Sequence, residues 1–178
     1  MKLRILLIGL IAFGFSFGRE STNASRVDVA AVQPAPGTPL AYAGIYGHPA
    51  TGWQAWLNHS DGQAFAAFAN DPLLRRPLIF VDGRDEAAYR AQRPLFGYLT
   101  WVVSLGQAKR VPVAVYLLTS LSIAALVMTS SAWFARRGLS PIFGLYALLL
   151  PGVLSIMVGG GADVLAAWLL LLAVMLYE

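Results

Sequence analysis

Residues 111–135, VPVAVYLLTSLSIAALVMTSSAWFA, contain no charged side chain, and Arg136-Arg137-Gly138 closes them. A helix needs ~20 apolar residues to cross the hydrocarbon of a bilayer, and this run is longer. A second charge-free run extends from Gly138 to Ala162 and includes the triplet Gly159-Gly160-Gly161. Beyond Asp163, Val164–Tyr177 opens a further apolar segment. At the other end of the chain, Lys2 and Arg4 precede LLIGLIAFGFSF, residues 6–17. That opening reads as an uncleaved first transmembrane helix rather than a secretory signal, because no A-x-A site follows it.

The whole composition agrees. Only 12% of the residues are charged and 57% are hydrophobic, against roughly 25% charged in ordinary soluble domains. The net charge of +4 comes from Arg and Lys at segment ends and in one loop, with no basic stripe interleaved with aromatics. That excludes the nucleic-acid class. No cysteine is present, so there is no disulfide framework and no thiolate metal site. His48 and His59 lack metal-ligand spacing.

These readings predict an all-α, polytopic membrane protein with about four transmembrane helices. Residues 1–20 form the first helix, 21–110 a long external loop with short amphipathic helices, and 111–178 helices two to four. Lys2 and Arg4 put the N-terminus in the cytoplasm, so parity places the long loop outside and Arg136-Arg137 inside. The double arginine follows the positive-inside rule; the basic residues of the loop do not, but the rule counts short loops.

The loop holds most of the charge. Ser60 and Gln63 have capping-box spacing, which predicts a helix over 60–70 with Asp61 in its first turn, where the helix dipole favours an anion. Phe65 and Phe68 share a face of it, and Asn70-Asp71-Pro72 ends it. Asp85–Arg93 reads as a second short helix in which Glu86 and Arg90 form an i,i+4 pair. Pro94 suits the first position of a third, over 95–105, with Gly106 as its C-terminal cap. At about eleven residues that helix is too short to span a bilayer and fits an interfacial position.

Carboxylates and arginines at a membrane surface suit a lipid-phosphate substrate. A carboxylate accepts a proton from an attacking hydroxyl or holds a hard divalent cation, and arginines grip phosphate with paired hydrogen bonds. The residues alone fit a plainer reading too, with Asp61 a first-turn residue and Glu86–Arg90 a surface ion pair. Asp163 either lines a cavity at the outer end of a span or caps the last helix in water.

The order Asp61-Gly62-Gln63 with following aromatics, then Asp71-Pro72-Leu73, then Tyr89-Arg90-Ala91-Gln92-Arg93-Pro94-Leu95, then a greasy helix ending Ser-Leu-Gly, resembles the front of bacterial membrane glycosyltransferases. The family is the C-type superfamily that uses polyprenyl-phosphate sugars, in its cell-surface glycopolymer branch. The resemblance covers about 60–178 and implies the N-terminal portion of such an enzyme, in the bacterial inner membrane. It implies a polyprenyl-phosphate-linked sugar as donor, a glycan or lipid acceptor, and the bilayer as partner. It makes Asp61 the candidate base or metal ligand, with Asp71 as a second candidate ligand for a divalent metal. Gln63, Tyr89, Arg90, Gln92, Arg93 and Asp163 are then candidate substrate-binding residues. The alternative expectation is a non-catalytic membrane scaffold or accessory subunit whose loop binds a partner.

Overall fold

The computed structural model describes residues 1–29, 51–58, 62–73, 94–159 and 161–177. Among them the chain is wholly helical. In order come α1 (Lys2–Arg26), α2 (Gly52–Asn58), α3 (Gly62–Asn70), α4 (Pro94–Val103), a 3-10 turn (Ala108–Arg110) leading into α5 (Val111–Arg136), a 3-10 stretch (Pro141–Leu149), α6 (Pro151–Gly159) and α7 (Asp163–Tyr177). The chain divides into two compact units, one of Met1–Glu20 with Leu117–Glu178, the other of Ser21–Tyr116.

The first unit is built on the C-terminal part of α5. Ser16 Oγ of α1 shares a hydrogen bond of 3.0 Å with Ser120 Oγ, and Gly9 lies against Met128. Position falls on one helix as it rises on the other, so α1 and α5 are antiparallel. The 141–159 segment is antiparallel to α5 as well. Gly144 backs onto Ser131, while Val153 and Met157 pack with Ile123, Leu126 and Val164 in the unit's apolar core. The last helix runs parallel to α5: Trp168 Nε1 donates to Thr129 Oγ1 at 3.0 Å, and seven residues further along both helices Arg136 donates to the Met175 carbonyl at 3.2 Å. That bond satisfies one of the carbonyls left unpaired at a helix C-terminus. Successive segments therefore alternate in direction, and the N-terminal end of α1 lies beside the C-terminal ends of α5 and α7.

Around its apolar core this unit buries several hydroxyls and exposes many large apolar side chains. Ser16, Thr119, Ser120, Ser122 and Ser131 are buried, whereas Leu6, Leu7, Leu10 and Ile11 of α1 and Leu170 and Val174 of α7 are exposed. Ser122 Oγ turns back to the Leu118 carbonyl at 2.8 Å, so its hydroxyl needs no water.

One helix among the described residues, 108–136 counted with its 3-10 lead-in, is long and apolar enough to cross a membrane. The other predicted spans differ from expectation for physical reasons. The apolar part of α1, residues 5–17, covers about 20 Å at 1.5 Å per residue, short of the ~30 Å core. The helix itself continues past residue 20 to Arg26, because 19–26 contains no Gly or Pro to break it. The 141–158 segment is not one helix. Leu150 is extended, with φ −64° and ψ 128°, since a residue before proline is held out of the α region and Pro151 follows it. Finally, α7 has 15 residues and covers only about 22 Å.

In the second unit, Gly52 lets α2 approach the Ala24 carbonyl of α1 closely, and Trp53 lies 5.6 Å from Tyr116 between ring centroids. α3 and α4 pack through aromatic edges. Phe65 meets Phe96 at 5.1 Å, and Phe68 meets Tyr98 at 5.1 Å. Gly97 lies directly against the Phe68 ring, where a Cβ would collide.

Candidate functional site

The helices that follow Asp61 and Arg93 in the chain, α3 and α4, pack against each other. Their contacts advance together along both helices, from Phe65–Phe96 to Phe68–Tyr98. The two N-terminal ends, at Gly62 and Pro94, therefore fall on the same side of the contact. The sequence explains the packing. The α3 stretch GQAFAAFAN places two phenylalanines three apart among alanines, so the rings project over a flat face. Gly97 then removes the side chain that would hold α4 off that face. Phe65, Ala66, Phe68, Phe96 and Gly97 are all buried. Thr100, also buried, donates to the Phe96 carbonyl at 2.8 Å and so adds no unsatisfied polar group to the contact.

Of the expected site residues, Asp61 and the group Tyr89, Arg90, Gln92 and Arg93 lie outside the described residues, as does the Ser60 cap. Gln63 is the second residue of α3. Asp71 follows the last residue of the same helix and is half-buried. Its backbone N–H donates to the carbonyls of Ala67 and Phe68, both at 3.2 Å, while Asn70 Nδ2 donates to the Ala66 carbonyl at 2.8 Å. The Asn-Asp-Pro ending thus closes α3 where it was expected to. Gln63 and Asp71 stand at opposite ends of α3. Asp163 is the first residue of α7, exposed, in the other unit. Its place in the first turn fits favourable interaction with the helix dipole. Among the described residues no group of three or more His, Asp or Glu side chains is arranged to hold a metal ion.

The cap expected at Gly106 is present and includes the residue before it. Gly106 N–H donates to the Trp101 carbonyl at 3.0 Å and Leu105 N–H to Val102 at 3.0 Å. That pair of bonds is a Schellman motif, in which the residue before Gly106 takes the left-handed position. Leu105 accordingly has φ +55°, and Gly106 is left-handed as well at φ +68°.

One feature went unread in the sequence. Trp133, Phe134, Phe143 and Tyr146 gather at the end of the first unit that carries Arg136 and Arg137. Ring centroids are 5.2 Å apart for Trp133–Phe134, 5.9 Å for Phe134–Phe143 and 5.7 Å for Phe143–Tyr146, and the Arg137 guanidinium sits 3.9 Å over the Trp133 ring. Aromatics beside basic residues at a segment end were the available signal.

Comparison of the chain with protein-family models, with curated proteins and with solved structures found no match in any of the three.

Proposed function

We propose that the chain is a multi-pass protein of a bacterial inner membrane, N-terminus cytoplasmic, and that it acts as a glycosyltransferase or as the N-terminal part of one. It moves a sugar from a polyprenyl-phosphate donor to a glycan or lipid acceptor on the outer face. The exposed apolar side chains and buried hydroxyls of the first unit support the membrane placement. Soluble proteins rarely expose large contiguous apolar surface, and buried hydroxyls between closely packed helices are the usual cement of transmembrane bundles. Alternation of direction along the unit agrees with a chain that crosses repeatedly.

The observation that carries the catalytic reading is the α3–α4 pairing. Asp61 immediately precedes α3 in the chain and Arg93 immediately precedes α4. In the proposed reaction the Asp61 carboxylate takes the proton of the acceptor hydroxyl as its oxygen bonds to the anomeric carbon. The bond from that carbon to the phosphate oxygen breaks, and polyprenyl phosphate leaves with the electron pair. Arg90 and Arg93 hold the phosphate as its charge grows. Gln63, Tyr89 and Gln92 orient the sugar. A divalent cation on Asp61 would serve the same phosphate, whereas Asp71 follows the far end of α3, about 12 Å along the helix, and would not share it.

The test is Asp61→Glu beside Asp61→Asn in a sugar-transfer assay with a polyprenyl-phosphate donor. A carboxylate displaced by ~1 Å costs on the order of a hundredfold in rate, and the amide lacks a base. Both variants should fold and both should lose transfer by about that factor. Turnover at the parent rate by either folded variant would remove Asp61 from the chemistry.

A further inference from the structure

At the end of the first unit where α1 begins and α5 finishes, Met1, Arg4, Ala135, Gly138, Leu139 and Pro141 line an open groove of about 280 Å³. That lies just below the ~300–1,000 Å³ of pockets that enclose whole small-molecule ligands, so the groove suits a headgroup rather than a sugar-lipid donor. Arg4 is exposed in it. Gly138, at φ +76° with open space around the position of a Cβ, keeps the floor low. Leu139 and Met1 supply exposed apolar walls.

Charge at this end has one sign among the described residues. Lys2 and Arg4 begin α1, Arg136 ends α5 and Arg137 follows it in the turn. The described carboxylates of the unit are elsewhere. Glu20 lies 16 residues along α1 from Arg4, or about 24 Å. Asp163 starts α7, whose opposite end meets Arg136. The aromatic group of Trp133, Phe134, Phe143 and Tyr146 sits at the same level, and such rings mark the headgroup layer of a bilayer. Exposed Leu6, Leu7 and Leu10 follow Arg4 along α1, where acyl chains would run.

We infer that this groove is a binding site for an anionic phospholipid, with Arg4 on the headgroup phosphate and the acyl chains along the exposed leucines of α1. The site is separate from the proposed transfer site and rests on the membrane placement of the first unit. Basic pockets between membrane helices recognise anionic headgroups in this way, and each surface Lys or Arg alone contributes about 1 kcal/mol of non-specific attraction.

The experiment reconstitutes the full chain in phosphatidylcholine vesicles and in vesicles containing phosphatidylglycerol. Carbonate-resistant insertion is scored first, then lipid retained after detergent extraction is measured by native mass spectrometry. The parent should insert in both and retain phosphatidylglycerol selectively. Arg4→Gln should lower that retention about tenfold or more. Lys2→Gln removes the same charge outside the groove and should lower it no more than about fivefold, the loss expected of general attraction. Inorganic phosphate in excess should not displace the lipid. Equal losses in the two variants, no loss in Arg4→Gln, or displacement by free phosphate would each overturn the lipid site while leaving the membrane placement intact. Failure to insert in either vesicle would overturn both.

Discussion

Leu105 and Gly138 occupy the same position in two helix endings and differ in what that position costs them. At α5, Gly138 N–H bonds to Ala135 at 3.2 Å and Leu139 N–H to Phe134 at 3.0 Å, the same pattern as at α4. Gly138 accepts φ +76° freely, whereas Leu105 at φ +55° brings its Cβ against the carbonyl, a conformation worth roughly 1–2 kcal/mol against a residue with a side chain. Leu105 is 71% exposed, so little packing offsets that cost. Leu105→Gly should therefore stabilise the protein by about 1 kcal/mol, less the extra entropy glycine gains when unfolded. Gly138→Leu should destabilise it by a similar amount. Thermal unfolding in one detergent reads both, and a lower melting temperature for Leu105→Gly would contradict the account. The glycine after Leu105 was legible as a helix stop. That glycine is left-handed, at φ +68°, but the left-handed Leu105 before it was not legible, because a Schellman ending sets that position by the bond pattern.

Two glycines make helix contacts of different stiffness. Gly97 abuts the Cβ, Cγ and Cδ1 of Phe68, close to the α3 backbone, while Gly9 abuts Met128 at Cγ and Sδ, the far part of a flexible side chain. Alanine gains up to about 1 kcal/mol over glycine in a helix interior. At Gly9 the thioether can swing aside, and Gly9→Ala should be close to neutral. At Gly97 the ring cannot withdraw without moving α3, so overpacking of about 1–3 kcal/mol should win and Gly97→Ala should lower stability. Equal melting temperatures for the two variants would contradict the packing described. The α3 helix was readable from its own residues, since Phe65 and Phe68 fall on one face and Asn-Asp-Pro stops it. Its partner was not readable: Gly97 is some thirty residues away, and a glycine in an apolar run gives no sign of what approaches it. The 141–158 segment failed as a single predicted span for a visible reason. The absence of charge spoke for a helix, and Pro151 within it spoke more strongly against continuity.

For the molecule as a whole, apolar content and the positions of charge made the helical class and the long central helix legible. Alternation of direction was an inference from parity, and the contacts Ser16–Ser120, Trp168–Thr129 and Arg136–Met175 now supply a geometric counterpart within the first unit. The proposed site was legible only as a motif. Asp61, Tyr89, Arg90, Gln92 and Arg93 are identified by order and spacing, which specify residue types but no distances, so transfer chemistry rests on the assay of Asp61 variants. The placement on which that chemistry depends can be tested without any substrate. The chain has no cysteine, so single cysteines label without background. Gln107 and Ser140 are exposed just beyond the two ends of the 108–136 helix. With a membrane-impermeant maleimide on intact bacterial cells made permeable only in the outer membrane, Gln107→Cys should label at once. Ser140→Cys should label only after the inner membrane is opened. Labelling of both from the same side, or of Ser140→Cys alone in closed cells, would contradict the account.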